Sequence, residues 1–240
     1  MALRSFYKYL LKGGGGAPSS LLTNLNGYWK MDEASGNRID SSGNGNDLTP
    51  TNAPGSAAGK ISDAAVFVAA SAQDVRHVSN ASLTTGNIDF TLGFWAYITD
   101  LSVAGCLVQK SDASSFANIE YECYFSASSG SFLFRVSHGT NWITVVHPTL
   151  ISVNTWYYVL CSHDITLDRI AISINNGADT TASMAGFTIP TSTAPFIVGS
   201  RASGDAANAR IDELGFWKKV LTADEKTELY NGGTGITYPF

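Results

Sequence analysis

The chain has 240 residues, of which 15 % are charged, and its formal net charge at pH 7 is −5. The first twelve residues carry three basic and no acidic side chains, so the remainder has a net charge of −8. An acidic body excludes the basic face that nucleic-acid binding requires, and no apolar run is long enough to span a membrane as a helix.

The N-terminal segment, residues 1–20, is unlike the rest of the chain. In MALRSFYKYLLK the apolar residues recur at spacings of three and four, and basic residues occupy another face of the same predicted helix. Four glycines at 13–16 end that helix and form a flexible linker. We predict an arm that anchors on a larger protein assembly; its anchoring residues are Leu3, Arg4, Phe6, Tyr7, Lys8, Leu10 and Leu11.

Three alternatives remain open for this arm. A secretory signal needs an uninterrupted apolar core, which Lys8 breaks. A helix lying on a membrane surface is possible in principle, but twelve residues with three charges would bind weakly. The third alternative is a disordered tail without a binding role.

Short apolar runs bounded by turn residues fill residues 21–240, which we predict to be one domain. Their spacing of about ten residues is typical of an antiparallel β-sandwich. Asn176 and Gly177 indicate a tight hairpin turn. The predicted strands are 27–31, 64–68, 88–99, 105–110, 119–125, 131–136, 142–146, 155–161, 169–175, 196–199 and 209–217.

One helix is predicted near the end, in LTADEKTELYNGG. Thr222 and Glu225 have the spacing of a capping box, in which each side chain binds the backbone N–H of the other. Gly232 is placed to terminate the helix.

The three cysteines, Cys106, Cys123 and Cys161, lie far apart in apolar runs. Their odd number and the absence of CxxC spacing argue against a disulfide framework or a zinc site. We expect buried free thiols in a protein that folds in a reducing cytoplasm.

Four segments, taken in order, carry a family resemblance: GYWKMDEASGNRIDSSGNGNDL, IDFTLGFWAYI, TWYYVLCSHDITLDRIAISINNG and ARIDELGFWKKVLTADEKTELYNGG. Together they resemble the laminin-G-like jelly roll of the concanavalin-A-like lectin/glucanase superfamily, of the type found in phage structural proteins, over residues 26–231. The resemblance implies an all-β fold, a jelly-roll sandwich of two antiparallel sheets with one short C-terminal helix. The candidate core aromatic residues are Trp29, Phe94, Trp95, Trp156 and Phe216.

The resemblance also implies a structural calcium ion held by the DSSGNGND loop and the last strand. By that resemblance the candidate ligands are Asp40, Asn44, Asn46 and Asp212. Their oxygen atoms suit calcium, which takes six to eight oxygen ligands. The alternative is that Asp40 and Asn44 hydrogen-bond within their own turn.

Catalysis is not expected. Glu120 and Glu122 are two apart and should share a strand face, but the resemblance to glucanases lacks a third acid, and we expect both to be exposed. Asp212 and Glu213 should point to opposite faces and so act separately. Cys161 and His163 share a predicted strand face without a third group to activate the thiol.

Trp142, beside polar residues near a strand start, is the candidate sugar-stacking residue. We therefore expect a non-enzymatic display or adhesion protein, a phage virion decoration or fibre component that contacts surface glycans. It would fold in the host cytoplasm and reside in the virion. The alternatives are a secreted or cell-surface, hence extracellular, carbohydrate-binding lectin and a glycoside hydrolase.

Overall fold

The computed structural model describes residues 19–112, 115–201 and 204–240. Residues 1–18, which include all the predicted anchoring residues, lie outside this range, so the helix and the docking role of the arm stay predictions. The α-helix α1 spans Ala223–Tyr230. The strands are β1 Leu25–Trp29, β2 Thr49–Thr51, β3 Gly55–Ala58, β4 Asp63–Phe67, β5 Asp74–His77, β6 Phe90–Ile98, β7 Gly105–Ser111, β8 Ile119–Ser126, β9 Ser131–Ser137, β10 Trp142–Leu150, β11 Trp156–Asp164, β12 Arg169–Ile174, β13 Thr180–Ser183, β14 Phe196–Val198 and β15 Ala209–Trp217.

These strands form two antiparallel sheets packed face to face. The eight-stranded sheet has the order β13-β12-β11-β6-β15-β4-β3, with β1 also paired to β15. The seven-stranded sheet has the order β10-β9-β8-β7-β14-β5-β2. Within the described ranges no helix has the length and apolar character to cross a membrane. The predicted β-sandwich with one short C-terminal helix is confirmed.

Each of the eleven predicted strands has an observed counterpart, with ends that differ by a few residues. Four strands were not predicted: β2, β3, β5 and β13. They are three or four residues long, and three of them, TPT, GSAA and TTAS, contain no large apolar residue. Their pairing with longer strands, rather than their own sequence, makes them strands.

The main core lies between the sheets, where alternate side chains of each strand meet. Trp29, Phe94 and Phe216 belong to it, as predicted. Trp95 is also buried but lies in a second cluster on the outer face of the eight-stranded sheet, and Trp156 is only partly buried there. The reason is strand alternation, since Trp95 follows the core residue Phe94 and must point the other way.

The second cluster is covered by chain from the last tenth of the protein. Leu221 and Leu229, from the α1 region, pack there against Tyr158 and Trp217. The partly buried side chains of Ile236, Tyr238 and Phe240 complete the cover. One outer face of the sandwich is therefore closed by its own C-terminal segment.

The capping box is confirmed: Thr222 Oγ1 accepts from Glu225 N at 3.3 Å, and Glu225 Oε2 accepts from Thr222 N at 2.9 Å. Two turn details differ from expectation. The left-handed residue after α1 is Asn231, with φ 46°, one position before Gly232. The turn after β12 is centred on Asn175 and Asn176, with φ 55° and 57°, because asparagine also tolerates this conformation.

The cysteines are free and buried, as expected. Cys123 Sγ and Cys161 Sγ are 3.5 Å apart across the core, one from each sheet. Cys161 thus faces the core, while His163 Nδ1 lies 2.8 Å from the carbonyl oxygen of Ile88. The two side chains have different partners, which gives no support to a thiol–imidazole pair.

Trp29 provides a test of the core. Its ring stacks on Phe196 with centroids 5.3 Å apart, and Nε1 donates to the Asn46 carbonyl at 2.8 Å. We expect Trp29→Ala to lower the free energy of unfolding by about 3–5 kcal/mol, because it leaves a large buried cavity. Urea denaturation measures this. Trp156→Ala, at a partly exposed tryptophan, is the matched control and should cost clearly less; equal losses would contradict the assignment.

Candidate functional site

The outer face of the seven-stranded sheet carries a row of side chains that crosses all seven strands. Directly paired residues place Arg76, Gln109, Glu122 and Arg135 in this row. The strands lie about 4.8 Å apart, so the row extends for roughly 29 Å. Its members in strand order are Thr49, Arg76, Ile197, Gln109, Glu122, Arg135 and Thr144.

Glu122 is the centre of an ion-pair network in this row. Its Oε2 accepts from Arg135 Nε at 2.8 Å and Nη2 at 2.5 Å, and from Arg201 Nη2 at 3.1 Å. Arg201 Nη1 also donates to Asp205 Oδ2 at 2.5 Å. The Glu122 side chain is 1 % exposed, so the expectation of an exposed glutamate was wrong. The two arginines that bind this carboxylate offset the free-energy cost of burying its charge.

Two aromatic rings hold the Arg135 guanidinium group between them. Its Cζ atom lies 3.9 Å from the centroid of the Trp142 ring and 4.7 Å from that of Tyr124. Arg201 lies over the same Tyr124 ring at 5.6 Å. These four residues and Glu122 are here called the aromatic–arginine patch. Cation–π contact and the ion pair together fix a planar donor group beside a partly exposed indole ring.

The pKa of Arg201 is raised above its ordinary value. Burial alone lowers it, but the opposite charges of Glu122 and Asp205 outweigh that effect. Burial raises the pKa of the Tyr124 hydroxyl, and the two arginines partly oppose this. At neutral pH the patch therefore holds charged guanidinium groups and a neutral phenol.

Glu120, the other predicted acid of this strand, is also buried rather than exposed. Its carboxylate accepts from Thr85 N and Oγ1 at 2.6 Å each and from Ser192 N at 3.0 Å, and it lies 3.5 Å from Lys110 Nζ. A register shift between β7 and β8 falls at Glu120. Glu120 and Glu122 therefore have different hydrogen-bond partners among the described residues.

Three of the predicted calcium ligands lie in one loop. Asp40 Oδ1 accepts from Tyr28 N at 3.0 Å and Ser42 Oγ at 2.6 Å, and Asp40 Oδ2 accepts from Asn46 N at 3.0 Å. The side-chain amide of Asn44 donates to Leu25 O at 2.9 Å. The contacts of Asp40 with Ser42 and Asn46 lie within the loop, as in the alternative, whereas Tyr28 N and Leu25 O belong to β1.

The fourth candidate, Asp212, belongs to β15, and its side chain contacts the turn between β3 and β4. Its Oδ2 accepts from Lys60 N at 2.7 Å and Ile61 N at 2.9 Å, while Oδ1 has no partner in the described structure. No cluster of three His, Cys, Asp or Glu side chains that could hold a metal occurs in the described residues. Asparagine, which supplies two of the four candidates, is not among these residue types, and calcium binding by this chain stays a prediction.

A β-bulge brings Asp212 and Glu213 to similar surroundings, contrary to the expected opposite faces. The register between β15 and β6 shifts after Asp212, and Glu213 takes a left-handed φ of 48°. Both side chains are buried, and Tyr28 Oη donates to Glu213 Oε2 at 2.6 Å. Burial, assisted by nearby carboxylates and partly opposed by hydrogen bonds, raises the pKa of Asp212 to about 8 and that of Glu213 to about 7.

The fold and its sequence now identify the family. The model described as the concanavalin A-like lectin/glucanases superfamily (Laminin_G_3) matches residues 69–225. The chain belongs to this superfamily. The expectation that its domain is of the type found in phage structural proteins stays a prediction. No curated protein sequence matches the chain significantly.

Several solved structures share this superfamily jelly roll. The binding domain of Paraclostridial Mosquitocidal Protein 1 has 18 % identity and a TM-score of 0.73, covering 89 % of this chain and 53 % of its own. Domain 4 of AbnA, a GH43 extracellular arabinanase from Geobacillus stearothermophilus in complex with arabinotriose, has 17 % identity and a TM-score of 0.68, covering 89 % and 98 %.

The botulinum neurotoxin serotype D ligand binding domain in complex with N-acetylneuraminic acid has 11 % identity and a TM-score of 0.68, covering 89 % and 53 %. The chain thus spans about half the length of the toxin domains that it matches. At these identities the likeness shows the fold alone.

Sequence reasoning located Trp142 but missed Tyr124, Arg135 and Arg201. Arg135 stands at an outward position of a strand otherwise rich in Phe and Val, and that isolated charge was the available signal. Arg201 comes from a loop far along the chain, and no pattern in the sequence links it to Glu122.

The acid pair predicts a pH-dependent stability. The folded state keeps protons on Asp212 and Glu213 that the unfolded chain releases near pH 4, so stability is full below about pH 4 and falls as pH rises to about 8. We expect the free energy of unfolding in chelator to be lower at pH 8.5 than at pH 5 by several kcal/mol, on the order of 6 for the two groups together. Urea denaturation measures it, and Asp212→Asn should flatten the dependence.

The same denaturation experiment also tests calcium binding. A cation favours ionised carboxylates, so calcium added at pH 8.5 should restore stability to the unsubstituted chain if Asp212 helps to hold it. Asp179→Asn, which alters an ion pair with Lys226 away from this turn, is the control. An unchanged unfolding curve with calcium would remove the calcium prediction.

Proposed function

We propose that this chain is a non-enzymatic carbohydrate-binding module whose ligand binds at the aromatic–arginine patch. The observation that carries the proposal is the guanidinium group of Arg135, fixed between the rings of Trp142 and Tyr124 on an outer sheet face. Protein sites for sugars combine a ring that stacks on the apolar face of the sugar with planar donors for its hydroxyl groups. The patch supplies both.

The position of the patch in the sandwich supports the proposal. The opposite outer face is covered by α1 and the C-terminal residues, as Trp217 and Leu229 illustrate. On the seven-stranded sheet, Thr144 is exposed and Arg135 and Trp142 are partly exposed at the β10 end of the row. A ligand therefore has access to polar and aromatic side chains held on rigid strands.

The state of the acids argues for binding rather than hydrolysis. Glycoside hydrolysis requires two carboxyl groups that flank the scissile bond. Glu122 is occupied by two arginines, and Glu120 is fully buried among Thr85, Ser192 and Lys110. Neither is placed to transfer a proton to a sugar on the outer face.

Two solved structures with a similar fold also support a sugar-binding role. The arabinanase domain 4, which this chain matches over almost its full length, was solved with arabinotriose. The botulinum serotype D ligand binding domain was solved with N-acetylneuraminic acid. Each of these two proteins was solved with a sugar bound, which supports a sugar-binding role here.

The wider role remains a proposal resting on the N-terminal arm. An amphipathic basic segment followed by four glycines suits anchoring in a larger assembly, with the jelly roll displayed outward. A phage virion component and an extracellular lectin both accommodate this arrangement. The two roles differ in whether the protein must attach to an assembly through its N-terminal arm, because only the display role requires this attachment.

Glycan binding is tested by substitution on the two outer faces. We expect Trp142→Ala and Arg135→Ala to weaken binding to a glycan-array hit by about tenfold or more, because each removes a stacking or donor group worth more than 1.4 kcal/mol. Trp156→Ala, on the other sheet, is the matched control and should bind normally. If all three variants bind like the unsubstituted chain, the ligand site lies elsewhere.

Deletion of residues 1–18 tests the display role. Both described hydrophobic clusters are built from residues 21–240, and we expect the shortened chain to keep its unfolding curve and its glycan affinity. In an assembly it should fail to incorporate. Normal incorporation without the arm would contradict the anchoring role while leaving the glycan proposal intact.

A further inference from the structure

Each arginine that the described residues place on the outer face of the seven-stranded sheet already has a carboxylate partner. Arg135 and Arg201 share Glu122, and Arg201 also binds Asp205. At the other end of the row, Arg76 makes two hydrogen bonds with the carboxylate of Asp74, whose side chain is 3 % exposed. Three cations on this face are matched by three anions.

The flanking sequence adds no positive charge. The residues at 113, 114, 202 and 203, which follow β7 and Arg201 in the chain, are Ala and Ser. Lys110, the lysine of β7, is fully buried with Glu120 rather than presented outward. The chain as a whole has a net charge of −5, so the long-range field repels anions.

An acidic sugar would have to compete with a protein carboxylate at this face. Glu122 is buried and contacts both arginines of the patch, so displacing it would leave a buried charge without its partners, which is costly. A neutral sugar needs no displacement, because its hydroxyl groups can use guanidinium N–H groups and carboxylate lone pairs that the ion pairs leave free.

We propose that the aromatic–arginine patch selects neutral glycans and that Glu122 is the residue that excludes acidic ones. The inference rests on the proposed function and goes beyond it by assigning a ligand class. Structures similar to this chain were solved with a neutral oligosaccharide in one case and an acidic sugar in another, so the comparisons do not decide between the classes. The paired charges of this chain decide it.

The experiment uses the full chain on an array of matched glycans, each neutral oligosaccharide accompanied by its sialylated or uronic-acid counterpart. We expect at least about fivefold stronger binding to the neutral member of a pair. That binding should change little between about 0.01 and 1 M salt, where the Debye length falls from about 30 to 3 Å. Glu122→Gln should increase binding to the acidic member by about tenfold, since it frees the charge of two arginines.

Two further variants, Asp179→Asn and Asp205→Asn, make a failure of this inference distinguishable from a failure of the proposed function. Asp179→Asn frees Lys226, a lysine bound near α1, and should not change the preference. If Glu122→Gln fails to fold by circular dichroism, Asp205→Asn replaces it, since the Asp205 side chain is 51 % exposed and its loss frees part of the Arg201 charge. A preference of the unsubstituted chain for acidic glycans, or no gain in either variant, overturns the inference alone. Binding to no glycan overturns the proposed function and the inference together.

Discussion

Alternation of side chains along each strand is the constraint on which this structure depends. A strand that buries Phe94 between the sheets must present Trp95 on the outside, and one that buries Tyr121 and Cys123 must present Glu122 outward. Filling the core therefore fixes what each outer face displays. The chain resolves the two faces differently: it covers the eight-stranded sheet with its own C-terminal segment and leaves part of the other accessible.

Interruptions of that alternation explain where the acids lie. At Glu120 the register between β7 and β8 shifts, and the carboxylate meets Thr85, Ser192 and Lys110 instead of joining Glu122. At Asp212 the bulge in β15 brings two neighbouring acids into buried surroundings, where burial raises the pKa of both. Bulges redirect side chains in this way because one extra residue reverses the facing of those that follow.

The accessible face combines rigidity with charge balance. Trp142 and Tyr124 hold Arg135 by cation–π contact, while Glu122 holds both Arg135 and Arg201. Such a surface is preorganised, so a ligand does not have to order it. The proposed binding of neutral glycans follows from this arrangement, because the arginines keep their donor geometry while their charge is already compensated.

The sequence by itself determined the fold class, the long strands, the capped helix and the buried thiols. Apolar periodicity and turn residues are local signals, and they locate elements such as β6 and α1. Only the tertiary structure decided the short strands β2, β3, β5 and β13, which owe their conformation to their partners. The tertiary structure also assembled the aromatic–arginine patch. Arg201 and Glu122 are 79 residues apart in sequence, and no periodic pattern in the sequence indicates such a long-range contact. A β-bulge also leaves no signal in the sequence, because it depends on the register of the neighbouring strand. The burial of Glu120 and the burial of both Asp212 and Glu213 could therefore not be predicted.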